Sequence, residues 1–289
     1  MANMDLTDLR KVLGHQYNFP TMPAVVVQIM QVLNSYDSSV SEVANVIKKD
    51  QTTATKILRL INSAAYSISR RVTTIDEAVS MLGFNTVMNL TMGTAILDSF
   101  KIINFNLVEF WTHTIAVSMA SRFFAERVKG SNSADTAATI GLIHDIGKLA
   151  FIMSVPDKYK LVIQQTKLKQ DVSIYIEQEV LGFDHTEVGL LLARRWGWPD
   201  IFQEAISCHH NPKQATLDPL MTYCIYLANL AAHVLLDKEY QEVSFATITD
   251  IRRIPLELRN SVSLQDWKSC LAHIMKGKAE IESFLKVMR

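Results

Sequence analysis

Five histidines and one aspartate follow one another in the order His113, His144-Asp145, His185, His209-His210, and any fold of this chain must be able to gather them. The chain holds eight histidines, so most belong to this series. Neutral imidazole and carboxylate are the ligand types that suit iron, manganese, zinc and similar ions. Ligands this far apart in sequence converge only if each sits on an element that can face the others. Helices are what the chain offers. Ten glycines and seven prolines punctuate it, and helical periodicity fills the stretches between. No β-branched alternation is long enough to build a sheet, and residues 243–251 (VSFATITDI) are the one modest strand candidate. An all-α fold is expected.

At 289 residues, 48% of them hydrophobic, the chain can form one large domain or two small ones around a sizeable core. Lys+Arg and Asp+Glu are equal at 29 each. A neutral chain lacks the electrostatic footprint of a general nucleic-acid binder and has no charge with which to dock on an anionic membrane. Cys208, Cys224 and Cys270 form no CxxC pair, which fits a reducing cytoplasm better than a disulfide scaffold. The N-terminal residues MANMDLTDLRKVLGH carry acids where a signal peptide needs a basic and then an apolar stretch. Residues 78–97 are free of charge, but asparagines, glycines and threonines interrupt them, so they read as a buried helix rather than a membrane span.

Residues 1–105 read as an N-terminal helical unit, 106–237 as a second unit carrying every histidine of the series, and 238–289 as a helical tail. In the first unit Pro23 opens a helix. Ser41 can cap the next, and Asp50 can cap a third that follows with almost no loop. Two short helices joined this tightly resemble a helix-turn-helix and raise a DNA-binding reading. The charges of residues 1–100 cancel, eight basic against eight acidic, so the basic excess that phosphate contacts require is absent. Packing of a helical pair is the favoured reading.

In the second unit, Glu109 and His113 lie four apart on one helix face. Asp135 can cap the helix that carries His144 and Asp145, and adjacent helical residues point about 100° apart, so this pair can contact one metal or bridge two. A charged Asp145 between Ile143 and Ile146 needs a strong partner to offset its burial. Lys148, one turn on, offers an ammonium for a substrate phosphate. Asp184 and Glu187 form a capping box that puts His185 in a first helical turn, where a solvent-exposed histidine is the alternative. His209 and His210 end a helix opened by Pro199 and stopped by Pro212, where imidazoles also complement the dipole.

The order H…HD…H…HH resembles the HD superfamily of metal-dependent phosphohydrolases. The segments FPTMPAVVVQIMQVL, LINSAAYS, IDEAVSMLGFNTVMNL, GLIHDIGKL, LGFDHTEVGLLLARRWGWP and ISCHHNP together resemble an HDOD domain over residues 15–212. The resemblance implies an HD-type helical core with an N-terminal helical subdomain. It implies a bacterial signalling or regulatory module, whose HD-GYP relatives hydrolyse cyclic dinucleotides at a multinuclear iron or manganese site. Carried over by position, the ligands are His113, His144, Asp145, His185, His209 and His210, with Glu109 and Asn229 as candidate further ligands. Asp145 and Lys148 take the catalytic roles. Two departures weaken catalysis. Asn229 stands where HD hydrolases close the series with an aspartate, and NPKQATLDP after His210 contains no GYP.

The expectation is therefore a cytoplasmic regulatory module with a site for one or two iron or manganese ions and weak or no catalysis. A metal-dependent phosphohydrolase acting on a nucleotide or phosphodiester is the alternative, and a DNA-binding regulator is a third reading. Partners are expected to be signalling proteins acting in trans, with a nucleotide or phosphate ligand, no nucleic acid and no membrane. Oligomeric state is left open.

Overall fold

In a computed structural model the described residues are 21–33, 40–62, 70–100, 102, 108–128, 133–169, 173–236 and 262–277. The strand candidate at 243–251, the tail beyond 277 and the N-terminal residues MANMDLTDLRKVLGH lie outside them. Among the described residues all regular structure is helical, as expected. The N-terminal helices are α1 (Ala24–Leu33), α2 (Val40–Lys49), α3 (Gln51–Ile61), α4 (Ile75–Leu82) and α5 (Phe84–Ser99). Those that follow are α6 (Val108–Val128), α7 (Ala134–Ile143), α8 (Ile146–Ser154), α9 (Pro156–Lys169) and α10 (Ser173–Leu181). They continue as α11 (His185–Arg195), α12 (Asp200–Cys208), α13 (Pro219–Leu236) and α14 (Leu264–Lys276).

Pro23 accepts hydrogen bonds from the N–H groups of Val26 and Val27 at 3.0 and 3.1 Å and so starts α1. Asp50 caps α3 as expected, accepting from Thr53 N at 3.1 Å and Thr53 Oγ1 at 3.0 Å. Ser41, the expected cap of α2, lies inside that helix, because α2 begins at Val40. The α2–α3 pair turns Val43, Ala44, Ile47, Ile57 and Ile61 into the core. Lys48, on the polar face, is bound to Asp76 at 2.8 Å. The single buried helix expected over residues 78–97 is two helices. Gly83, at φ 82°, breaks it, a left-handed conformation that a residue with a Cβ adopts only under strain.

The second group is built around α6, which packs most extensively against α7 and α13. Trp111, Thr114, Val117, Ala120 and Phe124 are all buried, as on a helix surrounded by others. Helix α14 closes over the far end of α6, with Trp267 stacked on Phe124 (ring centroids 6.2 Å apart) and Arg127 Nε 3.4 Å from Asp266. One hydrophobic cluster runs without a break from Val25 in α1 to Ile274 in α14. Residues 134–154 and Pro219–Leu236 are long and apolar enough to cross a membrane by length and composition, but 83% and 61% of these stretches are buried within the protein. They are interior helices of this core.

Candidate metal centre

The helix expected to carry His144 and Asp145 without interruption is broken at the pair. His144 ends α7 with φ −54° and ψ −35°, and Asp145 precedes α8 with φ −94° and ψ 17°. Ser133, not Asp135, occupies the cap position of α7, and Asp135 instead binds Arg122. At the break His144 and Asp145 come together: His144 Nε2 lies 3.3 Å from Asp145 Oδ2. Both side chains are fully buried.

Three further helices bring histidines to Asp145. His113, from α6, places Nε2 3.7 Å from Oδ2. His185, from α11, places Nε2 3.1 Å from Oδ1, and His209, at the end of α12, lies 3.6 Å from Oδ1. His210 Nε2 lies 3.2 Å from His185 Nε2. The capping box expected at Asp184 is present, with Glu187 N donating to Asp184 at 3.2 Å and Asp184 N donating to Glu187 at 3.0 Å. It sets His185 in the first turn of α11, where the ring is fully buried rather than exposed. Helices α8 and α11 approach closely to achieve this. A Cβ on Gly147 would sit 2.0 Å from the carbonyl oxygen of His185.

The ring orientations suit ligation. Nδ1 of His144 lies 2.8 Å from the carbonyl of Gly141, and Nδ1 of His209 lies 2.8 Å from that of Ile206. A carbonyl only accepts, so each Nδ1 carries a proton and donates it, and each Nε2 is the ring nitrogen directed at the interior. Such outer contacts are the means by which proteins orient metal-binding imidazoles. Nε2 of His113, Nε2 of His144, Oδ1 of Asp145 and Oδ1 of Asn229 are buried without a hydrogen-bond partner. Asp145 Oδ1 lacks an aligned donor even though His185 Nε2 is close. Each unpartnered buried atom costs roughly 1–3 kcal/mol. Three of these four atoms belong to the cluster around Asp145, and a cation there would satisfy them. The donor atoms form two groups that share Asp145, namely Asp145–His185–His209–His210 and His113–His144–Asp145, each within 4.8 Å. The residues therefore fit one or two metal ions.

The electrostatics are divided. Burial holds His113 and His210 well below the ordinary imidazole range, reinforced by the proximity of the His233 and His209 rings respectively, which disfavours a second proton. Burial lowers His209 to about 4, against the opposing pull of its bond to Asp145. These three rings are neutral near neutral pH. His185 is the exception. Burial is the largest influence and opposes its charge, but the carboxylates of Glu177 and Asp145 together outweigh it and raise it to about 9. Burial opposes the charge of Asp145 also, yet His144, Lys148 and His185 hold it well below the carboxylate range.

A pH dependence follows. In the metal-free protein, the raised pKa of His185 adds stability that is full below 6.5 and is lost as pH rises through about 9. An ion that takes His185 Nε2 must displace that proton, so affinity rises over the same interval. Calorimetric titration with Mn(II) near pH 7, in two buffers of different ionisation enthalpy, is expected to show release of about one proton per ion. An affinity that stays constant from pH 6.5 to 9 would contradict this protonation state.

Lys148 supplies the strong partner that a buried Asp145 requires. Its Nζ lies 2.6 Å from Oδ2 and is 16% exposed, at the edge of the cluster. Glu109 is not brought in. It is exposed on the first turn of α6, and both donor groups form without it. Asn229 is buried on α13.

Two residues were missed by the sequence reading. His233, one turn after Asn229, places its ring 4.5 Å from that of His113. The i, i+4 spacing from Asn229 could have revealed it. Glu177 is fully buried on α10 and bonds His185 Nδ1 at 2.6 Å. Nothing in SIYIEQEVL distinguishes it from Glu179.

Comparisons with known proteins agree with this architecture. The chain is similar to an HDOD domain protein with unknown function from Geobacter sulfurreducens, at 24% identity and a TM-score of 0.76, covering 96% of this chain and 95% of that one. It is also similar to a protein from Shewanella amazonensis SB2B named "Putative phosphohydrolase", at 25% identity and a TM-score of 0.73, covering 92% and 95%. A curated relative, an uncharacterized protein of Treponema pallidum, is 22% identical over 197 residues, which are 67% of this chain but only 38% of the relative. The sequence profile of the HDOD domain matches residues 19–212, more than half of the sequence, and the chain belongs to the HDOD domain family.

Proposed function

We propose that this protein is a signalling or regulatory module whose buried site binds iron or manganese and responds to a nucleotide or phosphate ligand, with weak or no turnover. The observation that carries the reading is the convergence of buried, unpartnered donor atoms on Asp145. A bound divalent ion supplies a Lewis acid and a water of lowered pKa. The chain's own groups hold and orient it. Carbonyl oxygens fix His144 and His209, Glu177 fixes His185, and Asp145 is the one carboxylate common to both donor groups. Lys148 is the cation available to a phosphate, but its ammonium is engaged by Asp145. Weak turnover follows from the side chain at 229, because an amide contributes no charge where hydrolases of this superfamily carry a carboxylate. The segment after His210 also lacks the GYP motif of the cyclic-dinucleotide enzymes. Protein partners acting in trans in the cytoplasm complete the proposal. The pairing of Lys48 with Asp76 favours this reading over DNA binding.

The second reading, a metal-dependent phosphohydrolase, is favoured by the two donor groups sharing Asp145, which suit a pair of ions, and by the name of the Shewanella relative. Elemental analysis of protein prepared with Fe(II) or Mn(II), paired with assays on phosphodiesters, cyclic dinucleotides and phosphate monoesters, separates the two. Metal bound near stoichiometry, with turnover at background, is expected. His144→Ala should weaken binding at least tenfold, on the scale known for ligand-shell changes. Hydrolysis that His144→Ala abolishes would instead establish the enzyme, and wild-type protein that takes up neither metal would end both readings.

A further inference from the structure

Glu177 stands outside the histidine series, on a helix that contributes no donor to the cluster. It is nevertheless fully buried, with no solvent exposure, which is rare for a charged side chain. Its two oxygens are both occupied. Oε2 accepts from His185 Nδ1 at 2.6 Å and from the backbone N–H of His185 at 2.8 Å, and Oε1 accepts from the Tyr159 hydroxyl at 3.1 Å. Tyr159, from α9, is itself buried and stacks on Phe151 (ring centroids 5.7 Å apart). Three donors from two helices thus fix one carboxylate, and that carboxylate fixes the ring whose Nε2 stands 3.1 Å from Asp145 and 3.2 Å from His210.

A buried carboxylate is costly to keep, and anchoring the start of α11 does not require one, because the Asp184 box already caps that helix. What Glu177 adds is directed at the ring. His144 and His209 are held by neutral carbonyls, whereas His185 is held by a carboxylate. We propose that Glu177 is the positioning residue of the metal centre: it fixes His185 with Nε2 toward Asp145, His209 and His210 and makes that ring the most electron-rich imidazole donor of the set. This rests on the metal-binding reading of the site. Carboxylate–histidine pairs of this kind raise ligand basicity, and their loss costs about 10–100-fold in metal affinity. Tyr159 completes the arrangement by satisfying the second oxygen, so that Glu177 stays directed at His185.

The test uses the full chain and Mn(II). Glu177→Gln preserves shape and one acceptor but removes the charge. It is expected to fold like the wild type and to bind Mn(II) about 10–100-fold more weakly. In a His185→Gln background the same change should lower affinity no further, because Glu177 acts through that ring. Tyr159→Phe, which leaves the carboxylate–imidazole bond in place, should bind Mn(II) within severalfold of wild type. A metal-independent readout accompanies these. Proton NMR of the metal-free protein should show a strongly deshielded imidazole N–H that is absent in His185→Gln and moves upfield in Glu177→Gln. If Glu177→Gln does not fold, Glu177→Asp, which retracts the carboxylate, is measured in its place with the same expectations. Mn(II) affinity of wild-type strength in the Glu177 variant, or the same loss in the presence and absence of His185, would overturn the proposal. A resonance that responds to the Glu177 change in a wild type that binds no Mn(II) would remove the metal reading while leaving the Glu177–His185 pair intact.

Discussion

Gly147→Ala is expected to cost about 3 kcal/mol or more and to lower the melting temperature by roughly 10 °C, while abolishing measurable Mn(II) binding. The added methyl group would stand 2.0 Å from the carbonyl oxygen of His185, 2.8 Å from its carbonyl carbon and 2.9 Å from Gly189 N. All three are backbone atoms, so no rotamer change relieves the clash, and α8 must part from α11. Asp145 immediately precedes α8 and His185 begins α11, so the separation falls on the 3.1 Å contact between them. Gly189→Ala serves as the control. Its methyl would meet Ile206 Cγ2 at 2.8 Å, a buried β-branched methyl that yields only by a small side-chain adjustment, and the backbone N of Gly147 at 3.6 Å, an ordinary distance. It is expected to be milder in both stability and metal binding. Thermal melts with and without Mn(II) check both variants, and a Gly147→Ala protein that melts and binds like wild type would refute the close crossing.

That crossing shows what the sequence could and could not convey. The helical class, the α2–α3 pair, the capping box at Asp184 and the spacing of the histidines were legible, because each is a local pattern of period, cap or order. The two helix breaks were less so. Gly83 and the His144-Asp145 pair interrupt stretches whose apolar content reads as continuous, and only the first carries a glycine with positive φ. At the pair, the interruption follows from how α7 and α8 pack against different neighbours, α6 for the first and α11 for the second. Periodicity carries no record of that.

Membership of the cluster divides the same way. His113, His144, Asp145, His185, His209 and His210 converge as their order implied. Glu109 does not, although i, i+4 spacing gave it the same face as His113. A helix face covers a wide arc, and the turn that carries Glu109 lies at the exposed start of α6. Glu177 was invisible because its role depends on how α10 crosses the start of the next helix, α11, a contact eight residues apart with no motif of its own. His233 entered through α13, whose packing on α6 brings its ring to His113.

Asp145→Asn is expected to have the largest effect on the site at the least steric cost. The amide keeps the volume and loses the charge that both donor groups share, so Mn(II) affinity should fall by more than the ~100-fold that an outer-shell change produces. The metal-free protein should suffer as well. Asp145 faces the ammonium of Lys148 at 2.6 Å and the imidazole of His185 at 3.1 Å, and removing one partner of a buried pair typically costs about 3–5 kcal/mol. The depressed pKa of Asp145 gives a dependence on pH opposite to that of His185: its contribution is present above 3.8 and lost as pH falls through the lower folded value. Asp145→Asn should therefore flatten the acid limb of the metal-free stability profile. Part of the cost should be recoverable. Lys148 lies at the edge of the cluster, so replacing it together with Asp145, as Asp145→Asn/Lys148→Met, removes the stranded ammonium and should restore stability relative to the single variant without restoring metal binding. Denaturant melts of the wild type, Asp145→Asn, Lys148→Met and the double variant, with and without Mn(II), measure both quantities in one cycle. Retention of wild-type Mn(II) affinity by Asp145→Asn would show that the carboxylate does not hold the ion. A double variant no more stable than the single would show that Lys148, once unpaired, simply turns to solvent.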